Sequence, residues 1–360
     1  MTKLRTGYTT GTCATAGAKA ALMLLNNIQS SVVLVRLPRG DYIDIPIESC
    51  SLTERGARCT IIKDGGDDPD VTHGARIVTE ITPGITPNII TIHGGMGVGV
   101  VTKPGLGLEI GGPAINPVPR RMIQENLREV DNDTIQKTGL QVTVSVPDGI
   151  KLGPKTDNPR LGIVGGISIL GTSGIVIPFS TASFAASIRQ NLDVAVAMKG
   201  DTVVLTTGNR SEEYAKKLVK LPEHCYVQIG DFSGYAVQEC GRKGLERVYV
   251  VGFIGKLAKM AAGVSQTHVK GSKVDMKLLS CIAEECGAPD SIIHDIQKAN
   301  TARHVMEIIQ DNSISGFFDK ICQLVYKHMQ SRAGRTSLCV VMFDFEGTVI
   351  GSIPKISLDI

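Results

Sequence analysis

The chain has 360 residues, enough for two domains of about 150 residues each, and 42% of its residues are hydrophobic. Its net charge of only +3 argues against a dedicated nucleic-acid binder, and its hydrophobic content excludes an intrinsically disordered chain. Forty glycines exceed the usual share of about 7% and predict many tight turns and close backbone approaches.

The first half of the chain combines a small-residue helix with short β-type runs, which predicts an α+β domain. The helix is predicted over residues 12–25, with Thr9, Thr10 or Thr12 capping its start. Strands are predicted over residues 32–37, 42–47, 57–62, 76–81, 88–92 and 141–146. Eight glycines between residues 94 and 113 predict glycine-rich loops, and a second helix is predicted to begin after Pro119.

Residues 161–188 form a run of 28 positions without a charged side chain. Its length alone would allow a membrane span, but its five glycines and Pro178 predict a buried strand with tight loops.

The nine cysteines include no Cys-x-x-Cys pair, and the N-terminus lacks the apolar block of a signal peptide. We therefore predict reduced thiols in a cytoplasmic protein that has no membrane segment.

From about residue 192 strands and helices alternate. Strands are predicted over residues 202–206, 225–229 and 247–251, each followed by a helix. Three such units predict a mainly parallel sheet with right-handed crossovers, a Rossmann-like α/β domain. The predicted domains are therefore 1–190 and 191–360. Residues 275–330 are predicted to be largely helical, and residues 338–350 to form a closing hairpin.

Ligands of parallel sheets bind beyond the carboxyl ends of the strands, so the three loops that follow these strands are the predicted site. These loops, called the carboxyl-end rim below, contain residues 208–209, 230–231 and 252–255. A phosphate loop is excluded because Leu257 follows Lys256 where Ser or Thr would hold Mg²⁺. A nucleoside without phosphates remains compatible. Asp231 follows Gly208 by roughly the 20 residues expected of a ribose-binding acid, although it is also placed to cap the next helix.

Two acidic motifs have competing interpretations. Asp344 and Glu346, before Gly347-Thr348, resemble the nucleophile motif of haloacid-dehalogenase phosphatases. Only 12 residues follow Thr348, too few for the other groups of such a site, which favours a turn between two strands. Residues 64–73 contain four aspartates and a histidine, which suit either a hard cation or a solvated turn.

Basic side chains flank several loops that are rich in glycine, threonine or proline, namely Arg5, Lys103, Arg120 and Arg121. Together with the threonine-capped start of the first helix, they offer binding to carboxylates. For each of them a solvated surface position is the alternative.

The segment RTGYTTGTCA at residues 5–14 resembles the opening signature of the cobalt-precorrin-5B C1-methyltransferase family of anaerobic cobalamin biosynthesis. Further segments are similar to blocks of the same family, in the same order along nearly the whole chain: residues 63–74, 94–107 (GGMGVGVVTKPGLG), 113–121 (PAINPVPRR), 165–178 (GGISILGTSGIVIP), 208–209, 251–263 (VGFIGKLAKMAAG) and 267–268.

This resemblance implies methyl transfer from S-adenosyl-L-methionine to C1 of cobalt-precorrin-5B, giving cobalt-precorrin-6A. The small-molecule partner would be a tetrapyrrole that carries its own cobalt, so no protein metal site is expected. The first domain would bind the corrin substrate and the second the cofactor, with no nucleic acid and no membrane involved. The alternatives are a non-catalytic corrinoid-binding protein and, less favoured, a phosphatase built on Asp344. The oligomeric state stays open, with a homo-oligomer among the outcomes.

The predicted rim and the basic loops, taken together with this resemblance, lead to a hypothesis for the residues of the site. The expected cofactor-binding residues lie on the carboxyl-end rim: Gly208, Asn209, Asp231, Gly252 and Gly255. The expected substrate-binding residues are Arg5, Thr9, Thr10, Thr12, Lys103 and Arg120. His268 is the candidate catalytic side chain, although methylation of C1 removes no proton there and needs no strong base.

Overall fold

A computed structural model describes residues 4–267 and 272–355 of the chain. The chain forms two compact units, Met1–Thr181 (unit 1) and Ala182–Ile360 (unit 2). The architecture is α/β, with a mixed sheet in unit 1 and a largely parallel sheet in unit 2.

The described elements of unit 1 are mostly short strands. Its helices are α1 (Thr10–Leu25), α2 (Pro117–Thr138), α3 (Gly149–Leu152) and α4 (Asn158–Leu161), with a 3-10 turn at Gly153–Lys155. Its strands are β1 (Gly7–Tyr8), β2 (Val32–Arg36), β3 (Tyr42–Pro46), β4 (Ser49–Leu52), β5 (Ala57–Ile62), β6 (Arg76–Pro83), β7 (Ile90–Gly94), β8 (Val100–Val101), β9 (Leu140–Ser145), β10 (Ile163–Val164) and β11 (Ile175–Val176).

The core of unit 1 is a five-stranded sheet covered by α1. The strand order is β4-β5-β6-β9-β7, antiparallel except for the parallel pair β7 and β9. Alternate residues of β6 and β9, such as Ile77 and Val142, are buried. Helix α1 is buried from Thr10 to Leu22, and its small residues let it lie close to the sheet. A Cβ atom at Gly17 would come within 2.9 Å of Thr79 Oγ1.

The predicted strands of unit 1 are confirmed, with β5 matching residue for residue. Strand β4 was not predicted. It carries Cys50 directly opposite Cys59 of β5, and their Sγ atoms are in contact. Such cross-strand neighbours cannot be recognised before the strand register is known, and the reduced state of the cysteines stays a prediction. The other seven cysteines are free thiols.

A buried amide joins the β2–β3 hairpin to α2. The side-chain amide of Asn126 donates to the carbonyl of Arg36 at 2.9 Å and accepts from the Arg36 backbone N–H at 2.8 Å, as a neighbouring strand would. Lys19 of α1, which is also buried, donates to Asn126 Oδ1 at 3.3 Å and to Glu129 Oε2 at 2.9 Å. One polar network therefore connects α1, α2 and the hairpin.

Unit 2 is built on the predicted alternation of strands and helices. Its strands are β12 (Thr202–Thr206), β13 (Tyr226–Gln228), β14 (Arg247–Phe253), β15 (Ser337–Phe343) and β16 (Val349–Ile353). Its helices are α5 (Thr181–Ala197), α6 (Asn209–Leu218), α7 (Ser233–Arg242), α8 (Ile254–Ala261), α9 (Met276–Glu285), α10 (Asp290–Lys298), α11 (Ala302–Asp311) and α12 (Phe317–Ala333), with a 3-10 turn at Glu223–Cys225.

The sheet of unit 2 has the order β13-β12-β14-β15-β16, in which the first four strands run parallel and β16 is antiparallel. Successive residues of each strand point to opposite faces. Val203 and Leu205 are buried in one core cluster together with residues of α7, α8 and α12, whereas Val204 is buried in another with Ala215 of α6. The sheet is thus covered on both faces, as its continuous apolar strands require.

The uncharged segment 161–188 differs from its predicted form. It contains the two-residue strands β10 and β11, and helix α5 begins within it at Thr181. Ile188 and Leu192, one helical turn apart, are both buried in the core of unit 2, so the domain boundary predicted at 190/191 falls inside α5. In the ranges that the structure describes, no helix is both long and apolar enough to cross a membrane.

We predict that Asn126→Ala destabilises the protein by about 1–3 kcal/mol, because it removes both hydrogen bonds to the Arg36 backbone and leaves Lys19 with Glu129 as its acceptor. Urea unfolding measures the change. The matched control is Asn26→Ala, which removes an exposed amide of unit 1 and should cost less than about 0.5 kcal/mol. Equal effects of the two substitutions would contradict the role given to the network.

Candidate functional site

Lys256, in the first turn of α8, joins the three loops of the carboxyl-end rim. Its Nζ donates to the carbonyl oxygen of Thr207 at 3.1 Å and to that of Gly230 at 3.0 Å, and lies 3.3 Å from Asp231 Oδ1. These partners follow β12 and β13, whereas Lys256 itself follows β14. The structure therefore brings together the three loops that the sequence predicted to share one edge.

The rim lies where the strand order of the sheet reverses. From β12 the chain passes to β13 on one side, and then returns to β14 on the other side of β12. The helices that follow β12 and β14 lead away to opposite faces, since α6 packs in one core cluster and α8 in the other. A crevice opens at such a reversal, and it is the usual ligand site of open α/β sheets.

Asp231 is not a helix cap. Helix α7 begins at Ser233 after Phe232, and no side chain caps it. Instead Asp231 Oδ1 accepts from Thr267 Oγ1 at 2.9 Å and faces Lys256. Within residues 4–267 and 272–355, Oδ2 of this partly exposed carboxylate has no hydrogen-bond or ion-pair partner. The carboxylate is thus held by one oxygen and presents the other.

Two rim glycines have no steric role within the fold. A Cβ atom added at Gly208 or at Gly255 would meet no atom within 4 Å, and neither backbone has a φ in the left-handed region. Packing and conformation would therefore accept a side chain at both positions. They lie at the ends of β12 and β14, where the strand-order reversal predicts a crevice that a side chain would partly fill.

Two other rim glycines are explained by the fold itself. A Cβ atom at Gly252 would lie 2.9 Å from Thr207 Oγ1, so glycine here lets the ends of β12 and β14 pack together. Gly230 has a φ of +51° and lies against the ring of Phe184. Of the remaining predicted rim residues, Asn209 begins α6, and its Oδ1 accepts from Gln228 Nε2 at 2.5 Å. His268 lies outside the described residues.

The three predicted substrate-binding threonines are buried and bonded within unit 1. Thr9 caps α1 by accepting from the Thr12 N–H at 3.2 Å. Thr12 Oγ1 donates to the carbonyl of Gly174 at 2.6 Å. Thr10 Oγ1 donates to the carbonyl of Ser168 and accepts from the N–H of Leu170. These hydroxyls fasten the loop at residues 168–174 to the start of α1.

The acidic turn at residues 64–73 is neutralised by neighbouring groups. Arg5 forms a two-pronged ion pair with Asp64, which lowers the pKa of that carboxyl. Burial acts to raise the pKa of Asp70, but the buried Lys63 ammonium at 2.6 Å and two hydrogen bonds from Thr72 together lower it. Among the described residues, no group of three or more His, Cys, Asp or Glu side chains is arranged to hold a metal ion.

Arg120 and Lys103 bind backbone carbonyls rather than carboxylates. Arg120 Nε donates to Ile115 O at 2.9 Å and Nη1 to Ile92 O at 3.3 Å. Desolvation lowers the pKa of Arg120, and no carboxylate of the described chain lies within 4.0 Å of its guanidinium. Lys103 Nζ reaches only the carbonyl of Arg160, at 3.3 Å. Both are half-buried cations without an acidic partner in the part of the chain described.

Asp344 and Cys13 are two residues with potentially reactive side chains, and the fold accounts for both. Asp344 Oδ1 accepts from the backbone N–H groups of Glu346 and Thr348, at the turn between β15 and β16. This confirms the predicted hairpin and leaves that oxygen committed to the turn. Burial raises the pKa of the Cys13 thiol, at the start of α1, to about 12, so it stays protonated.

Sequence reasoning missed Lys256 and Thr267 as members of the rim. In the sequence, Lys256 was considered only as part of a phosphate loop, which was excluded. Its position three residues after the end of a predicted strand could have indicated that its long side chain reaches the neighbouring loops. Thr267 is buried, and its carbonyl accepts from the Lys259 ammonium at 3.0 Å. No local pattern marks it, because its partner Asp231 is 36 residues away.

These features are those of an α/β protein with a candidate small-molecule site at the carboxyl ends of its parallel strands. Residues 1–178 match the family model CbiD, and residues 266–354 match that of the CbiD C-terminal domain. The chain belongs to the CbiD family.

Curated relatives carry the name cobalt-precorrin-5B C(1)-methyltransferase. One from Rubrobacter xylanophilus is 47% identical over 96% of this chain and 89% of its own length. One from Leptospira borgpetersenii is 44% identical over 99% of this chain and 96% of its own. A crystal structure of the cobalamin biosynthesis protein CbiD from Archaeoglobus fulgidus is 31% identical, covers 72% of this chain and 80% of that one, and has a TM-score of 0.41.

We predict opposite effects on stability for two alanine substitutions at the rim. Gly252→Ala should destabilise the protein by about 1–3 kcal/mol, because its Cβ atom meets Thr207. Gly255→Ala, in the first turn of α8, should leave stability unchanged or raise it by up to about 1 kcal/mol. Chemical denaturation of the two variants measures both changes. A loss of stability in Gly255→Ala would show that Gly255 has a packing role after all.

Proposed function

We propose that this chain transfers a methyl group from S-adenosyl-L-methionine to C1 of cobalt-precorrin-5B, giving cobalt-precorrin-6A. Unit 2, with its Rossmann-like sheet, binds the cofactor at the carboxyl-end rim, and unit 1 binds the tetrapyrrole. The relatives' name supports the reaction. The observation that carries the cofactor assignment is the pair Gly208 and Gly255, which leave space at the strand-order reversal, on the same rim as Asp231, whose Oδ2 has no partner among the described residues.

The residues of the rim fit a nucleoside cofactor without phosphates. Asp231 Oδ2 is available to accept a hydrogen bond from a ribose hydroxyl. Phe184 and Phe232 stack with their ring centroids 5.1 Å apart beside Gly230, and offer a partly exposed apolar surface for a purine. Gly208 and Gly255 allow the ligand to approach the backbone closely. Because there is no phosphate to bind, the absence of a phosphate loop is consistent with this ligand.

The chain's own contribution to catalysis is positioning. S-adenosylmethionine, when bound, supplies an electrophilic methyl group on a positively charged sulfur. Orientation of two bound reactants can lower a barrier by about 7–11 kcal/mol. C1 loses no proton on methylation, so binding residues rather than an acid–base pair carry the reaction. His268 remains a prediction as a catalytic side chain.

Arg120 and Lys103 are the best candidates to bind the acetate and propionate groups of the ring. Each is a half-buried cation that contacts carbonyl oxygens only, so a carboxylate would complete its coordination. Arg5 is less available because Asp64 already occupies its guanidinium. The threonines at positions 9, 10 and 12 contribute by fastening the loop at residues 168–174. The cobalt belongs to the substrate.

Calorimetric titration with S-adenosylhomocysteine, the product of the methyl donor, tests the cofactor assignment. We expect binding by the unaltered chain, weakened about tenfold or more in Asp231→Asn, because a hydrogen bond to a charged group contributes about 1.5–3 kcal/mol. The control is Asp193→Asn, which removes an aspartate paired with Lys243 elsewhere in unit 2. No binding by the unaltered chain would overturn the assignment, and an unchanged dissociation constant in Asp231→Asn would remove Asp231 from the site.

Gly255→Ala provides a second test, because its predicted effects on stability and affinity have opposite signs. The added methyl group should weaken S-adenosylhomocysteine binding by about tenfold, the effect of roughly 1.4 kcal/mol of lost contact, without lowering stability. Lys277→Ala, at an exposed position of α9, serves as the control helix substitution. Unchanged affinity in Gly255→Ala would mean that the ligand does not occupy this side of the crevice.

A further inference from the structure

Lys256 is surrounded by three oxygen atoms from two loops other than its own. We propose that Lys256 is a positioning residue, which fixes the shape of the cofactor site without touching the cofactor. This role rests on the proposed function, since it requires that the carboxyl-end rim bind S-adenosylmethionine.

The Lys256 ammonium contacts groups of the protein itself. A protonated lysine has three N–H donors and no acceptor. Two of these donors bind backbone carbonyls, Thr207 O at 3.1 Å and Gly230 O at 3.0 Å, and the ammonium also forms an ion pair with Asp231 Oδ1 at 3.3 Å. Lys256 therefore acts through the groups it holds.

Those groups adjoin the positions that face the ligand. Thr207 immediately precedes Gly208, so the lysine anchors the backbone where the crevice begins. Gly230 immediately precedes Asp231, which Lys256 also holds directly through its side chain. One ammonium thus sets the separation between the backbone at Gly208 and the carboxylate at Asp231, which are the two sides of the proposed nucleoside site.

The direction of the Asp231 carboxylate is fixed from two sides. Lys256 and Thr267 both bind Oδ1, and Lys259 holds Thr267 in place through its carbonyl. Because Oδ1 faces both groups, Oδ2, which has no partner among the described residues, is the oxygen left for the ligand. Such orientation before binding reduces the entropy that association would otherwise cost.

A lysine suits this position better than an arginine. The three acceptors converge on one atom, as the compact ammonium requires, whereas the donors of a guanidinium spread over a planar fork. Methionine has a side chain of similar length to lysine but carries no charge. The side chains of Lys256 and Asp231 are 33% and 24% exposed, so the Asp231 carboxylate that loses its partner stays accessible to water. The variant Lys256→Met therefore removes the three contacts with little loss of packing.

The test compares two ligands by calorimetry: S-adenosylhomocysteine and its analogue without the two ribose hydroxyls. In Lys256→Met we expect the affinity for S-adenosylhomocysteine to fall about tenfold, and that for the analogue to fall less than about threefold, because only the former uses the oriented carboxylate. In the double variant Lys256→Met/Asp231→Asn the two losses should not add. The control Lys220→Met removes an ammonium that contacts a single carbonyl, that of Lys216, and should bind both ligands as the unaltered chain does.

The other outcomes of this experiment distinguish a failure of the proposed function from a failure of the positioning role. If the unaltered chain fails to bind S-adenosylhomocysteine, the proposed function falls and this role falls with it. If the unaltered chain binds and Lys256→Met binds equally well, the proposed function stands and the positioning role is wrong. Equal weakening of both ligands, accompanied by a lower melting temperature, would assign Lys256 to general stability and also overturn the proposal.

Discussion

The common direction of three neighbouring strands is the constraint on which the candidate site depends. Because β12, β13 and β14 run parallel, the loops that follow them meet at one edge of the sheet, although they are far apart in the sequence. Parallel strands need helical crossovers, and these crossovers cover both faces and leave the edge as the accessible surface. The Lys256 ammonium then ties the loops together with three contacts. A sheet with the same residues but one reversed strand would separate Asp231 from Gly208.

The glycines of the two units illustrate how packing separates glycines that the fold requires from those that it does not. Gly17 lies where α1 approaches the sheet, and Gly252 where two strand ends meet, so the fold accounts for both. Gly208 and Gly255 have open space around them, and the fold does not account for either. The same distinction applies to polar groups. The threonine hydroxyls of α1 are bonded to the backbone of their own unit, whereas one oxygen of Asp231 has no partner in the part of the chain that the structure describes.

The sequence predicts local features well and tertiary partners poorly. Strands β5 and β12 match their predictions residue for residue, because hydrophobic patterning and flanking turn residues define both ends. The segment at residues 161–188 was misjudged because the absence of charge indicates burial without distinguishing a strand from the start of a helix. The two readings of Asp231 could not be separated either, since its partner Thr267 is 36 residues away. Composition likewise could not show that Asp64 occupies the guanidinium of Arg5.

The threonine contacts at the start of α1 have a consequence for the order in which unit 1 is assembled during synthesis. Thr10 and Thr12 belong to α1, yet their hydroxyls bind carbonyls that lie 158 and 162 positions later in the chain. At about 5–20 residues per second, a ribosome takes roughly 8–30 s to supply those partners once α1 has been made. Until then the small-residue face of α1 lacks the loop that holds its beginning. Helix α1 is therefore made long before the contacts that secure its first turn.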